Sequence, residues 1–543
     1  MDYIRARKKR IIYTLCFLML CLIDQRTKTG TGLDGIIESF RDAMAIVLAI
    51  MIFLHYQFGD FKKWKVPYII WTLVGGVGSI AVFLWGRESQ PFLNAWIVVL
   101  VAIFLWGYII LHTFIDMVCE KKHPSLNKAF GGVWIVMMLW MIFSRSNYLW
   151  PLCYMVMFGC FYLTDFSEEE REDMLQGALD GIFLSVIFFQ GFCCVFRPYD
   201  QVRYVGIYNN GNINALYYVM VLGAIFAKIL YLRKKNARKT VYIFYWLSAG
   251  AVFSLLFMTI GRIGWITGFI IGLLFLVFLN IIVNKKKLVV NGIVLVLCTC
   301  LMFPACFCAV RYFPPVFHHP IWFWGEWRED KVHSWDPWDS EKFIDADEFF
   351  EAALGRIVTS IENLSDYFAF NTKIVVRAVE ETEISEEVNV QIQAEVPSVE
   401  TEDPRIAAAV LEVKDERDTI LTRKTIYSHY INELNWTGHP YEEQGFQLTP
   451  IYWIGHAHNI YLQYGTDFGI PVMVLFAVMV IWGATACWKR GCKNKSIADM
   501  AAVFFILIPA IFGMLEYSWG EASLSITMLF LAWEQSMRMD YGS

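Results

Sequence analysis

The sequence predicts an all-α protein that crosses a membrane many times and carries one large outward-facing loop of mixed structure. Three observations lead there. Of the 543 residues, 57% are hydrophobic and only 18% charged, whereas soluble domains average about 25% charged residues. The excess sits in apolar runs long enough to cross about 30 Å of hydrocarbon at about 1.5 Å per residue. Connections rich in lysine and arginine alternate with connections that carry few, the pattern of a chain threading back and forth across a bilayer.

The clearest runs are Phe92–Ile115, Val241–Ile260, Trp265–Val283, Leu288–Val310, Ile470–Trp488 and Ile497–Leu515. They lack the polar face that a helix on a soluble core would present. A first span at Ile11–Ile23 is short, and its basic leader Arg5–Arg10 reads as a helix-start anchor rather than a cleaved signal. Basic clusters at Lys62/Lys63/Lys65, Lys121/Lys122, Arg233–Lys239, Lys285–Lys287 and Lys489–Lys495 mark the cytoplasmic side. Gly86–Pro91 and Ser144–Tyr148 mark the other. The arrangement that fits has about 14 spans (12–14) with both termini inside. It divides into an N-terminal bundle over 1–310 with about 11 helices, a large extracytoplasmic loop over 311–455, and a C-terminal bundle over 456–543 with about three helices.

The loop opens with Trp322, Trp324, Trp327, Trp335 and Trp338, then turns acidic through Glu380–Glu387 and Glu400–Asp403. Val388–Val396 alternates apolar and polar residues, a strand signal, and Asp415–Tyr430 reads as a helix. None of the 13 cysteines falls between Arg311 and Gly455, which excludes a disulfide-stapled ectodomain or a thiolate zinc site there. Gly264-x-x-x-Gly268-x-x-x-Gly272 reads as close helix packing. Gly75-Gly76-Val-Gly78 is no phosphate loop, because no strand precedes it.

The chemistry is concentrated where the large loop returns to the membrane, in Gly455-His456-Ala457-His458-Asn459-Ile460-Tyr461-Leu462-Gln463, followed by Asp467-Phe468-Gly469-Ile470-Pro471. Polar groups are costly to desolvate there, and histidine is the side chain suited to moving a proton near neutral pH. On a helix, His458 would share a face with Leu462, and Asn459 with Gln463. Capping of a helix end is the simpler reading of the same residues.

The string His-x-His-Asn-x-x-Leu, then an acidic residue, x, Gly-Ile-Pro, resembles the signature of the O-antigen ligase and surface-polysaccharide polymerase family of multi-span membrane glycosyltransferases. Three further segments fit in order. Tyr208-Asn-Asn-Gly-Asn-Ile-Asn214 resembles the asparagine-rich start of a middle span. Thr259-Ile-Gly-Arg262-Ile-Gly-Trp resembles the arginine-bearing start of a later one. Arg423-Lys-Thr-Ile-Tyr427 resembles the arginine and aromatic that precede the histidine within the loop. Asp467 stands where glutamate is commoner, and Val472 where a second glycine often follows.

The resemblance implies an enzyme of a bacterial cytoplasmic membrane, acting at its outer face without cofactor, metal, nucleotide sugar or nucleic acid. Its donor would be a glycan on undecaprenyl pyrophosphate. Its acceptor would be another glycan, a lipid or a protein, and other polysaccharide-assembly proteins would be its partners. The product would be capsule, exopolysaccharide or O-antigen, polymerised or ligated. His458 would be the general base, and Arg262 and Arg423 would hold the diphosphate, a task suited to guanidinium. Arg203, Asn209, Asn212, Asn214, His456 and Asn459 would contact substrate; Asn210 belongs to the same group. A transporter or flippase of lipid-linked sugars is the main alternative, although Asp180 and Glu516 lie near span ends rather than at midpoints. A metal site on His456 and His458, with His429 or His439, lacks an ordered set of further ligands.

Overall fold

The apolar runs fold as helices because within a bilayer only a helix satisfies every backbone polar group from inside its own segment. The computed structural model describes residues 2–29, 40–56, 63–89, 93–317 (apart from 123, 198, 200–201, 209 and 284–286), 345–358, 416–440, 443, 445–449, 452–516 and 523–538. Among the described residues, eight helices are long and apolar enough to cross a membrane. They include Glu168–Phe196, Gly211–Lys234, Lys239–Met258, Arg262–Val283, Leu288–Phe317 and Ile470–Asn494. Lys128–Phe143, Trp150–Leu163 and Ile497–Phe512 are shorter apolar helices. The chain is therefore a helical protein of the multi-pass membrane type.

The contiguous runs set helix limits to within a few residues. Ile497–Leu515 stops as a helix at Phe512 because Gly513 turns there, its carbonyl accepting from Ile460 N–H at 2.7 Å. Leu288–Phe317 continues past residue 310 and so carries Arg311. The Glu168–Phe196 helix starts at a capping box, in which Ser167 and Glu170 satisfy each other's backbone amides.

Gly211–Lys234 is the axis of the bundle. It packs against Glu168–Phe196, Lys239–Met258, Arg262–Val283 and Ile497–Phe512, and 89% of its apolar window is buried. The Lys65–Leu84 segment is 11% buried and exposes Val66, Ile69, Ile70, Leu73, Val74 and Val77, an apolar surface suited to hydrocarbon. The glycine series does pack helices closely. A Cβ on Gly264 would stand 2.6 Å from Ala215 Cβ, and one on Gly268 would stand 2.7 Å from Leu256.

Two compact units divide the chain, one formed by Met1–Ile344 with Tyr430–Ser543 and the other by Asp345–His429. In the second, residues 346–358 are helical, with Phe349 and Ala353 buried. Glu416–Asn432 forms the helix expected at Asp415–Tyr430. The tryptophan-rich start of the loop, its acidic stretches and the strand expected at Val388–Val396 lie outside the described residues. In the first unit, Phe446–Thr449 pairs antiparallel with Tyr452–Ile454, a hairpin that hands the chain to Gly455 and the histidines. All 13 cysteines are free thiols.

Candidate active site

Four separate segments meet at the end of the bundle where Gly211–Lys234 begins. Asn210 caps that helix by accepting from Asn212 N–H at 2.8 Å, which sets Asn212 in the first turn. Gly211 leaves room for the guanidinium of Arg203; a Cβ there would stand 3.0 Å from Nη2. Arg203 comes from the preceding loop, whose Gly206 adopts φ +57, a left-handed turn that glycine takes without strain. The guanidinium donates from Nε to the Thr259 carbonyl at 3.0 Å and from Nη2 to Asn212 Oδ1 at 2.6 Å.

With its oxygen held by Arg203, the Asn212 amide presents its nitrogen to Glu516 and donates to Oε2 at 2.7 Å. The other oxygen of Glu516, Oε1, lies 2.8 Å from His458 Nδ1. A continuous chain thus runs from Thr259 through Arg203, Asn212 and Glu516 to His458. An ionised carboxylate only accepts, so Nδ1 carries the proton and Nε2 of a neutral His458 carries the lone pair.

His458 precedes the Ile460–Phe468 helix rather than lying on it, and its φ of +48 is left-handed. The shared helix face with Leu462 is therefore not formed. Ile260, at φ +49, is left-handed too, beside Arg262. A β-branched residue is strained in that region, by about 1–3 kcal/mol, and such strain concentrates at functional sites. Arg262 is the half-buried first residue of its helix. A Cβ on neighbouring Gly261 would stand 3.5 Å from Asn212 Oδ1, so this corner adjoins the same cluster.

Asn459 turns out to fasten the site. Its Oδ1 caps the helix through Tyr461 and Leu462 N–H, at 2.9 and 3.1 Å, and its Nδ2 donates to Met514 O at 2.8 Å. That bond anchors the turn leading to Glu516. Gln463 ties down the histidine segment, accepting from Ala457 N–H at 2.7 Å and donating to Asp467 Oδ1 at 2.7 Å. The ring of His456 lies 4.2 Å, centroid to centroid, from that of His458, and its Nδ1 accepts from His458 N–H at 3.3 Å. Burial, reinforced by His458 and opposed by Glu516, pushes the His456 pKa down to about 4. It is neutral at neutral pH, as its acceptor role requires.

Of the residues singled out from sequence, the cluster brings together Arg203, Asn212, His456, His458 and Asn459, with Arg262 at its margin. Asn214 is fully buried two residues further along, donating to Tyr204 O at 3.4 Å. Asn209 lies outside the described residues. Arg423 belongs to the second compact unit. Glu516, weighed from sequence only for transport, is the site residue that the sequence did not assign. Its signal was a lone carboxylate closing a long apolar run, a position that demands a partner.

Compared with known proteins, the chain matches no family model, no characterised sequence and no solved structure.

Proposed function

We propose that the protein is a glycosyltransferase that moves a glycan from undecaprenyl pyrophosphate to an acceptor hydroxyl at the outer face of a bacterial cytoplasmic membrane. The observation that carries this reading is the hydrogen-bonded chain joining a histidine to an arginine through Glu516 and Asn212. It sets a proton acceptor and a cation on one small polar surface, the two functions that this transfer requires.

In this mechanism the acceptor oxygen attacks the anomeric carbon while His458 Nε2 takes its proton. The bond from that carbon to the pyrophosphate oxygen breaks, and the electron pair leaves with the diphosphate. Glu516 holds the imidazole in the tautomer that can accept at Nε2 and stabilises the imidazolium that forms. Arg203 and Arg262 offset charge growing on the leaving group, and the resemblance gives Arg423 a diphosphate-binding role as well. About 14 spans, the basic connections inside and the large loop outside complete the topology. Between the two reactions of the family, the reading leans to polymerisation of a surface polysaccharide, since nothing in the loop marks a dedicated lipid acceptor.

The test is transfer from a purified pyrophosphate-linked glycan by the full-length protein and by His458→Ala, in buffer containing chelator. Product with the native protein alone supports the reading, and its length distinguishes polymerase from ligase. No product from either protein with several donors overturns it. One observation favours transport of lipid-linked sugars as a second reading. Lys228, 6% exposed, is held by Asp180 at 2.5 Å and by Gln176 at 2.9 Å inside the bundle. Movement of labelled lipid across proteoliposomes without elongation would select that reading.

A further inference from the structure

A polar pocket lies at the opposite end of the bundle from His458. Asn212 and Lys234 stand on one helix, about 33 Å apart at ~1.5 Å per residue. The pocket holds about 700 Å³. Six cations line it, Arg171, Lys234, Lys235, Arg490, Lys493 and Arg538, against the carboxylates of Asp165, Glu168, Glu172 and Asp499.

Most of these charges are matched. Arg490 holds Asp499 at 2.8 Å, Lys235 reaches Glu172 at 3.4 Å, and Arg171 reaches Asp165 at 3.8 Å. Arg538 pairs with Glu534. Lys234 donates to a neutral group, the Lys495 carbonyl, at 2.8 Å. Exposed Lys493 makes no ion pair among the described residues. Two ammonium charges therefore face the space against one unmatched carboxylate, Glu168.

A second observation points to a ligand. Gln176 is 1% exposed and lines the inner wall. Lys228 holds its Oε1, and its Nε2 has no hydrogen-bond partner among the described residues. A buried donor left in this way costs about 1–3 kcal/mol unless something accepts from it. Ser496, Ile497 and Ala498, the first turn of Ile497–Phe512, form another wall, where the helix dipole favours an anion. A smaller, mainly apolar cavity of about 110 Å³, lined by Phe17, Met174, Ala178 and Phe505, shares Arg171, Leu175, Ala498 and Gln535 with the first.

We propose that this pocket binds the phosphate headgroup of an anionic phospholipid, with the start of an acyl chain in the apolar cavity. Lys234 and Lys493 supply charge, Gln176 Nε2 and the helix start supply donors, and the joined apolar wall distinguishes a lipid from a soluble anion. Basic pockets at the ends of spanning helices suit such headgroups. This proposal is independent of the transfer reaction, since binding alone is measured.

The experiment is native mass spectrometry of the full-length protein in detergent, titrated with phosphatidylglycerol, phosphatidylcholine or inorganic phosphate. Phosphatidylglycerol is expected to be retained well above phosphatidylcholine. The double variant Lys234→Gln/Lys493→Gln should weaken that retention by about thirtyfold, at one charge contact per lysine. Lys234→Arg/Lys493→Arg should retain it, which separates lost charge from lost folding. Equal retention of the two lipids, or of phosphatidylglycerol by native and Gln-substituted protein, overturns the proposal. So does failure of the Arg variant in a protein of native helix content. Saturable binding of inorganic phosphate that phosphatidylglycerol does not compete for identifies a soluble anion and overturns the lipid assignment.

Discussion

The two ends of the Gly211–Lys234 helix carry polar clusters of opposite construction. At the Asn212 end, an amide bridges an arginine to a carboxylate that holds a histidine. At the Lys228 end, Asp180 is held by two full charges, Lys228 and Arg10, both at 2.5 Å. The first cluster is assembled from loops and helix starts, and two of its segments hold non-glycine residues in left-handed backbone, Ile260 and His458. The second comes from regular helix faces of Asp2–Thr29, Glu168–Phe196 and Gly211–Lys234, the middle one of which packs against each of the other two. Gly177 and Gly181 allow that packing; a Cβ on either would stand 2.4–2.6 Å from atoms of Tyr13 or Thr14. Opposite charges on regular helices hold those helices together. A titratable ring on strained backbone, exposed at 30% of its side chain, is what a reacting group needs.

The largest expected effect breaks the first cluster at its histidine. His458→Ala should lower transfer by about 10²–10⁴-fold, the range for a general base, while the protein remains inserted and abundant. Arg262→Ala and Arg423→Ala should also abolish measurable product. Full activity in any two of the three would remove the mechanism.

Breaking the other end should be felt in stability instead. Lys228→Met leaves half-buried Asp180 with Arg10 alone and removes the donor to Gln176, a change that costs about 1–3 kcal/mol. Thermal unfolding in detergent should shift down sharply, with transfer per folded molecule unchanged below the transition. Lys228→Met/Asp180→Asn should recover part of the loss. If Lys228→Met instead halts transfer in fully folded protein, the two ends are functionally coupled and the contrast between them fails.

These two ends also differ in how far the sequence discloses them. Spans were readable because some twenty consecutive apolar residues admit little else in a bilayer, and Arg262–Val283 begins within three residues of where the run does. The histidine segment was readable because polar groups re-entering an apolar region need a reason. Its wiring was not. Glu516 meets His458 across 58 residues, and Asn212 across 304. No local period records such a pairing. Asn459 and Asn214 show the complementary limit. An asparagine at a helix start has the same sequence signature whether it caps, as Asn459 does, or turns inward, as Asn214 does.

Glu516→Gln sharpens the account of the first cluster with a smaller effect. The glutamine keeps the shape but loses the charge that fixes the proton on Nδ1. Transfer should fall by about tenfold to a hundredfold, the worth of one hydrogen bond to a charged group. The ¹⁵N resonances of the His458 ring should report a mixture of tautomers where the native protein holds one. Unchanged tautomer and activity would reduce Glu516 to packing.

The smallest effect belongs to His456 and to pH. Its pKa in the fold, about 4, lies below the ordinary histidine value because burial opposes the charged form. Between about 6.5 and 4 the unfolded chain therefore binds a proton that the folded chain does not, so stability falls as pH drops through that window and is constant above it. His456→Gln keeps an acceptor for the His458 N–H and cannot titrate. The stability difference between native protein and variant, followed by thermal unfolding from pH 8 to pH 4, should stay flat to about pH 6.5. Below that it should move in the variant's favour. Lys228 makes none of the His456 contacts, and Lys228→Met should leave this pH-dependent difference in place. Loss of the difference in Lys228→Met as well would mean that acid acts on the whole bundle rather than on the histidine segment.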